Sequence, residues 1–294
     1  MSSRSAVAPV ALAVGALLIS MVSYQCGASL AKHLFPQVGA QGATAYRLGL
    51  SALMLLAWRR PWRRSGGGRD WRALWGYGLS MGAMNLVFYM SLRTIPLGIA
   101  VALEFTGPLA LALAGSRRPL DFIWIGLVVA GLALLLPLRA QAQALDPLGV
   151  AYALAAGVGW ALYIVLGKKV GASHGGDAVA LGITIGALLT IPFGAVHAGA
   201  ALLSPALLPY AVGVALLSSA LPYSLEMVAL TRLPARTFST LLSLEPAIAA
   251  VAGAVLLGQR LSLLQWVAVT AIIVAAAGTA LSVRRPALAQ PLPT

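Results

Sequence analysis

The sequence predicts an all-α integral membrane protein of ten transmembrane helices, built as two inverted five-helix repeats with both termini in the cytoplasm. Three observations predict it: a composition too apolar for a water-soluble body, long apolar runs along nearly the whole chain, and self-similarity at a near-constant offset. Of 294 residues, 60% are hydrophobic and only 9% are charged, whereas a soluble domain carries roughly a quarter charged residues. A spanning helix needs about 20 mostly apolar residues. Ten such runs follow one another: Pro9–Ala31, Gly39–Trp58, Trp71–Leu92, Pro96–Gly115, Asp121–Leu138, Leu148–Gly167, Ala178–His197, Leu207–Ala229, Ala235–Leu257 and Leu261–Val283. Nothing between them is long enough to fold as a soluble domain. Their continuity, without a ten-residue alternation, favours helices over a barrel.

The first run, which follows Arg4, has the look of a secretory leader. It is longer than the usual ~7–15-residue apolar core of one and has an internal counterpart, so it reads as a retained first helix. Short connectors make consecutive helices antiparallel. The Arg/Gly-rich stretch Arg59–Arg69 reads as a cytoplasmic loop, Arg139–Pro147 as the linker between halves, and Arg284–Thr294, with its three prolines, as a disordered cytoplasmic tail.

Orientation follows from Lys and Arg. With the N-terminus inside, the cytoplasmic side receives Arg4, Arg59, Arg60, Arg63, Arg64, Arg69, Arg72, Arg117, Arg118, Lys168, Lys169, Arg232, Arg236, Arg284 and Arg285, and the outside receives Lys32, Arg93, Arg139 and Arg260. Fifteen against four predicts both termini inside. The net charge of +13 is thus a topology signal spread over connectors, not a nucleic-acid face. The single cysteine, Cys26, allows neither an intrachain disulfide nor a cysteine metal site. His33, His174 and His197 fall at connectors without metal-ligand spacing.

The two halves repeat one another. Ile95-Pro96 matches Leu233-Pro234, and Pro108 matches Pro246, both at an offset of 138. After four extra residues in the second half, Arg118 matches Arg260 and Trp124 matches Trp266; Tyr24 and Lys32 match Trp160 and Lys168 at 136. The units run over 9–138 and 148–283. Five helices per unit is odd, so the second unit enters the membrane from the opposite side, as in many secondary transporters. Pro108 and Pro246 lie midway along their runs, where a proline removes one backbone hydrogen bond and kinks the helix. Paired interruptions point to gating about a midplane site, with a plain structural kink as the other reading.

Ionisable residues inside hydrocarbon are costly and face a partner or a cavity. Four qualify here: Arg47, Glu104, Glu226 and Glu245. Arg47 and Glu104 lie at similar depth, roughly 10–12 Å from the outer end of their runs. They read either as a structural ion pair or as a substrate site, with Arg47 meeting a carboxylate and Glu104 an ammonium or a proton. Glu245, next to Pro246, reads as a proton-coupling group or as an acid serving the kink's free carbonyls. Glu226 reads as a guard of the inner mouth or as the partner of Arg232 or Arg236. Gln25, Asn85, Tyr89, Trp160 and Tyr163, together with Tyr24 and Tyr223, sit at mid-depth as polar or aromatic lining, or as plain packing.

The segments Gly159-Trp-Ala-Leu-Tyr-Ile-Val-Leu-Gly-Lys-Lys169 and Leu242-Ser-Leu-Glu-Pro-Ala247 resemble the drug/metabolite transporter superfamily, EamA type. Other segments are similar to its bacterial amino-acid exporters: Gly27-Ala-Ser-Leu-Ala-Lys32, Pro96-Leu-Gly-Ile-Ala-Val-Ala-Leu-Glu-Phe-Thr-Gly-Pro108, Ser116-Arg-Arg-Pro119, Leu221-Pro-Tyr-Ser-Leu-Glu-Met227 and Ala229-Leu-Thr-Arg-Leu-Pro234. One departure is Gly258-Gln259-Arg260, where the family carries Gly-Glu. The resemblance runs from about Gly27 to Thr279. It implies a multi-pass protein of the bacterial inner membrane that exports small amino acids, threonine and homoserine foremost.

No HExxH, Walker loop or aspartate pair accompanies these features, which argues against an intramembrane enzyme and against ATP as the energy source. No cofactor is implied. Alternating access coupled to proton antiport is the expected mechanism. Export of drugs or other metabolites is the alternative.

Overall fold

The computed structural model describes residues 4–31, 34–63, 70–91, 93–95, 97–116, 119–135, 146–245, 247–248, 251 and 262–282. Pro246, most of the Arg139–Pro147 linker and the Arg284–Thr294 tail lie outside these residues. Among the described residues there are helices and turns and no strand. The helices of the first half are α1 (Arg4–Ala31), α2 (Phe35–Arg59), α3 (Trp71–Ser91), α4 (Leu97–Gly115) and α5 (Pro119–Leu135). Those of the second half are α6 (Pro147–His174), α7 (Ala178–Ala198), α8 (Leu208–Ala215), α9 (Leu221–Arg232), α10 (Ala235–Leu242) and α11 (Leu263–Ser282).

Local chemistry accounts for several boundaries. Asp146 caps α6, its carboxylate accepting from the Leu148 and Gly149 N–H groups ahead of Pro147. The second run was read as starting at Gly39; the helix starts at Phe35 and bends at Gly39, whose φ of 65° suits a residue without Cβ. α4 runs through Pro108 as one helix. The eighth run was read as one helix but is α8 and α9 joined by a π turn, Leu216–Ala220. The cause is Pro222: it cannot donate to the Ser218 carbonyl four residues back, and its ring crowds that carbonyl, so the turn widens. The ninth run also breaks, at Ser243, whose N–H closes a tight bond to Thr240 (3.2 Å).

Packing is set by small residues. Gly78 and Gly82 of α3 meet Gly182 and Gly186 of α7 so closely that a Cβ on Gly78 would lie 2.7 Å from the Gly182 carbonyl. Small residues four apart let backbones approach in this way where lipid gives helices no hydrophobic drive to associate. α2 packs on α7, α3 on α6, α1 on α9, α5 on α11 and α4 on α10. Tyr77, Tyr163, Phe105, Leu17, Met21 and Phe238 fill the centre. The outer faces carry Leu53, Ile123, Val158, Leu188 and Val196 exposed, the surface that hydrocarbon requires. By length and composition, the stretches Pro147–Leu203 and Pro205–Arg232 are long and apolar enough to span a bilayer.

Candidate functional site

Arg47 sits in the middle of α2, 3% exposed, because α2 turns one polar position into a layer formed by α1, α3 and α9. Its Nε donates to Ser219 Oγ at 2.6 Å. Its Nη1 donates to the hydroxyls of Tyr24 (3.2 Å) and Tyr89 (3.3 Å), and its Nη2 to that of Tyr223 (3.3 Å). The guanidinium also lies 5.0 Å over the Tyr24 ring, a favourable cation–π placement. Asn85 Nδ2 donates to Tyr223 (3.0 Å) and to the Met81 carbonyl (2.8 Å). The partners of this buried cation are therefore neutral hydroxyls. The ion pair with Glu104 that similar depth suggested is not formed among the described residues, since α2 packs chiefly on α7 while α4 packs on α6 and α10.

A second polar group lies beside the first. Glu226 of α9 accepts from Ser20 Oγ (3.1 Å) and from the Tyr163 hydroxyl (2.9 Å), and not from Arg232 as the sequence allowed. One turn of α9 separates it from Tyr223, whose hydroxyl reaches α2 and α3 while Glu226 reaches α1 and α6. The Tyr163 and Tyr223 rings are 5.6 Å apart, and Tyr163 stacks on Tyr77 at 5.2 Å. A cation and a carboxylate are thus linked by adjoining tyrosines, an arrangement able to meet a small molecule bearing both charges.

The remaining candidates are placed more loosely. Trp160 of α6 meets Phe105 edge-on at 5.9 Å. Gln25 is half-buried on α1 and makes no hydrogen bond to the Arg47 group. Glu104 and Glu245 are half-buried, Glu245 just beyond the break at Ser243. Pro108 is buried and frees the Glu104 carbonyl, whose usual N–H donor it lacks. That carbonyl faces α6, where a Cβ on Gly157 would come within 2.6 Å of it.

The residues that sequence reasoning missed are hydroxyls. Ser219 and Ser20 bond the charged side chains, while Ser23 and Ser51 bond backbone carbonyls beside them; serines in an apolar run carry no charge to flag them. Pro222 did carry a signal: it is a mid-run proline like Pro108.

The EamA-like transporter family matches over residues 147–281. The threonine/homoserine exporter RhtA of Salmonella typhimurium (strain SL1344) is 55% identical over 277 residues, 94% of each chain. RhtA of Escherichia coli (strain K12) is 54% identical over the same length and shares. A solved crystal structure, 18% identical, agrees with a TM-score of 0.71 over 92% of this chain and 99% of its own, a likeness of fold alone. By its identity to these exporters, the chain belongs to the EamA-like transporter family of membrane proteins.

Proposed function

We propose that this chain exports small amino acids, threonine and homoserine foremost, with Arg47 receiving the substrate carboxylate. The observation that carries this reading is a buried guanidinium bonded to four hydroxyls and, among the described residues, to no carboxylate. A charge at such depth is costly unless it is paired or functional, and arginine's planar fork matches a carboxylate. The hydroxyls orient the fork without neutralising it. The identity to threonine/homoserine exporters over 94% of the chain supports the same substrate class.

The protein works in the bacterial inner membrane as ten spans, with both termini in the cytoplasm. Two inverted repeats, 9–138 and 148–283, rock about the shared site. The helix pairing supports this organisation. Advancing each run by five places turns the contact of the first with the eighth into that of the sixth with the third. The contacts of second with seventh, fourth with ninth and fifth with tenth map onto themselves. Asn85, Tyr89, Trp160, Tyr163 and Gln25 border the substrate, with Glu104 toward its ammonium. Glu226 and Glu245 serve proton coupling, while Pro108 and Pro246 serve gating.

The test is efflux of labelled threonine and homoserine from loaded vesicles, with and without a proton gradient, for the native chain and for Glu104→Gln. Gradient-driven efflux that the substitution abolishes is the expected result. A folded native chain that exports neither amino acid would remove the substrate assignment and turn the search to other metabolites and drugs.

A further inference from the structure

The π turn Leu216–Ala220 sits where Arg47 takes its shortest bond, to Ser219. In the turn the Leu221 N–H bonds the Leu216 carbonyl, so the Leu217 carbonyl loses its usual donor. The next backbone position along is Pro222, which has none. Leu217 is served instead from another helix: Ser23 Oγ of α1 donates to its carbonyl at 2.7 Å. On the other flank, Ser51 Oγ lies 2.7 Å from the Ala215 carbonyl and 2.6 Å from the Arg47 carbonyl. α1 is held against the turn here, since a Cβ on Gly27 would come within 2.7 Å of Ser218. Ser23, Ser218 and Ser219 are all buried, so water is not at hand to replace a lost donor.

One inserted residue rotates everything that follows it by about 100° relative to a regular helix. Tyr223 and Glu226 both follow the turn, and Ser219 is in it. Whatever fixes the π register therefore aims these side chains at Arg47 and Tyr163. We propose that Ser23 is a positioning residue for the Arg47 site, holding the π turn that Pro222 forces by capping the carbonyl that Pro222 leaves without a donor. The proposal rests on the reading of Arg47 as the substrate carboxylate's partner, and it makes Ser23 and Pro222 energetically coupled.

The coupling gives the test. Replacing Pro222 by alanine restores an N–H that serves the region's carbonyls in either the π or the α register, so Ser23 is no longer needed. Ser23→Ala in the native background is expected to raise the KM of amino-acid efflux roughly tenfold, the equivalent of one unsatisfied buried acceptor, with kcat changed less than about twofold. Ser23→Thr, which keeps the hydroxyl, restores the native KM. In Pro222→Ala, adding Ser23→Ala shifts KM by less than about twofold. Equal shifts in the two backgrounds, or no shift in the native one, overturn the proposal. A second measurement stands apart from transport: short-linker thiol cross-linking of Ser20→Cys with Glu226→Cys, in Cys26→Ser, reports the register directly. The yield falls with Ser23→Ala and is kept with Ser23→Thr; an unchanged yield with Ser23→Ala overturns the proposal even if the native chain exports no amino acid.

Discussion

Arg47→Lys isolates what the guanidinium contributes beyond its charge. The native side chain presents three nitrogens that reach four hydroxyls at 2.6, 3.2, 3.3 and 3.3 Å. A lysine keeps the charge, but one ammonium with three protons satisfies at most three acceptors and cannot reach both the Nε side, toward Ser219, and the far Nη2 side, toward Tyr223. At least one of these charge-assisted bonds is lost, each worth about 1.5–3 kcal/mol, along with the two-pronged grip on a carboxylate. The substitution should therefore raise the KM for homoserine efflux by about ten- to a hundredfold. Folding should persist, since the buried charge keeps at least one hydroxyl partner. Initial efflux rates over a range of internal homoserine, beside thermal unfolding in detergent, measure both. A KM within twofold of the native value, in a folded variant, would falsify the claim that the fork reads the substrate.

Other expectations follow from contacts already described. Gly157→Ala places a methyl 2.6 Å from the Glu104 carbonyl and should force α4 and α6 apart, lowering stability by about 1–3 kcal/mol; a native melting temperature would contradict it. Tyr163→Phe removes one of the two donors to Glu226 and should shift the pH dependence of efflux, while Tyr152→Phe, outside the site, should not. Asp70 is held below its usual range by Lys169, which bonds it at 2.8 Å, and by the Ala73 N–H. A depressed carboxyl stabilises the fold above its unfolded value and loses that stabilisation as pH falls through its folded value. Lys169→Gln should accordingly lower stability at neutral pH and flatten the acid limb below about pH 4, leaving variant and native chain equally stable once Asp70 is protonated in both folded and unfolded forms.

Much of the site was legible because charge inside an apolar run is conspicuous. Arg47 and Glu226 stood out for that reason, and both lie at the centre of polar clusters. Their partners were not legible. In a membrane, both faces of a helix are apolar, so periodicity does not reveal which way a residue turns. Equal depth suggested Arg47 with Glu104, but which helices pack together decides the pairing: α2 packs chiefly on α7, α4 on α6 and α10, and Arg47 meets Ser219 and three tyrosines instead. Glu226 likewise meets Ser20 and Tyr163, hydroxyls more than sixty residues away in sequence. The eighth run looked continuous because apolar residues fill most of its length; Pro222 marks the π turn by the same logic that picked out Pro108. The break at Ser243 lies three residues before Pro246, in the zone where a proline disturbs the preceding turn.

The central claim is that Arg47 recognises a carboxylate on a small amino acid. Its most direct test is homoserine efflux from proteoliposomes holding the purified chain, in competition with threonine or with threonine amide, which keeps the ammonium and hydroxyl but lacks the negative charge. The account predicts that threonine blocks efflux and that the amide does so at least tenfold less well, about the worth of one charge-assisted bond. Equal competition by the two, or no efflux of homoserine from a folded chain, would contradict it.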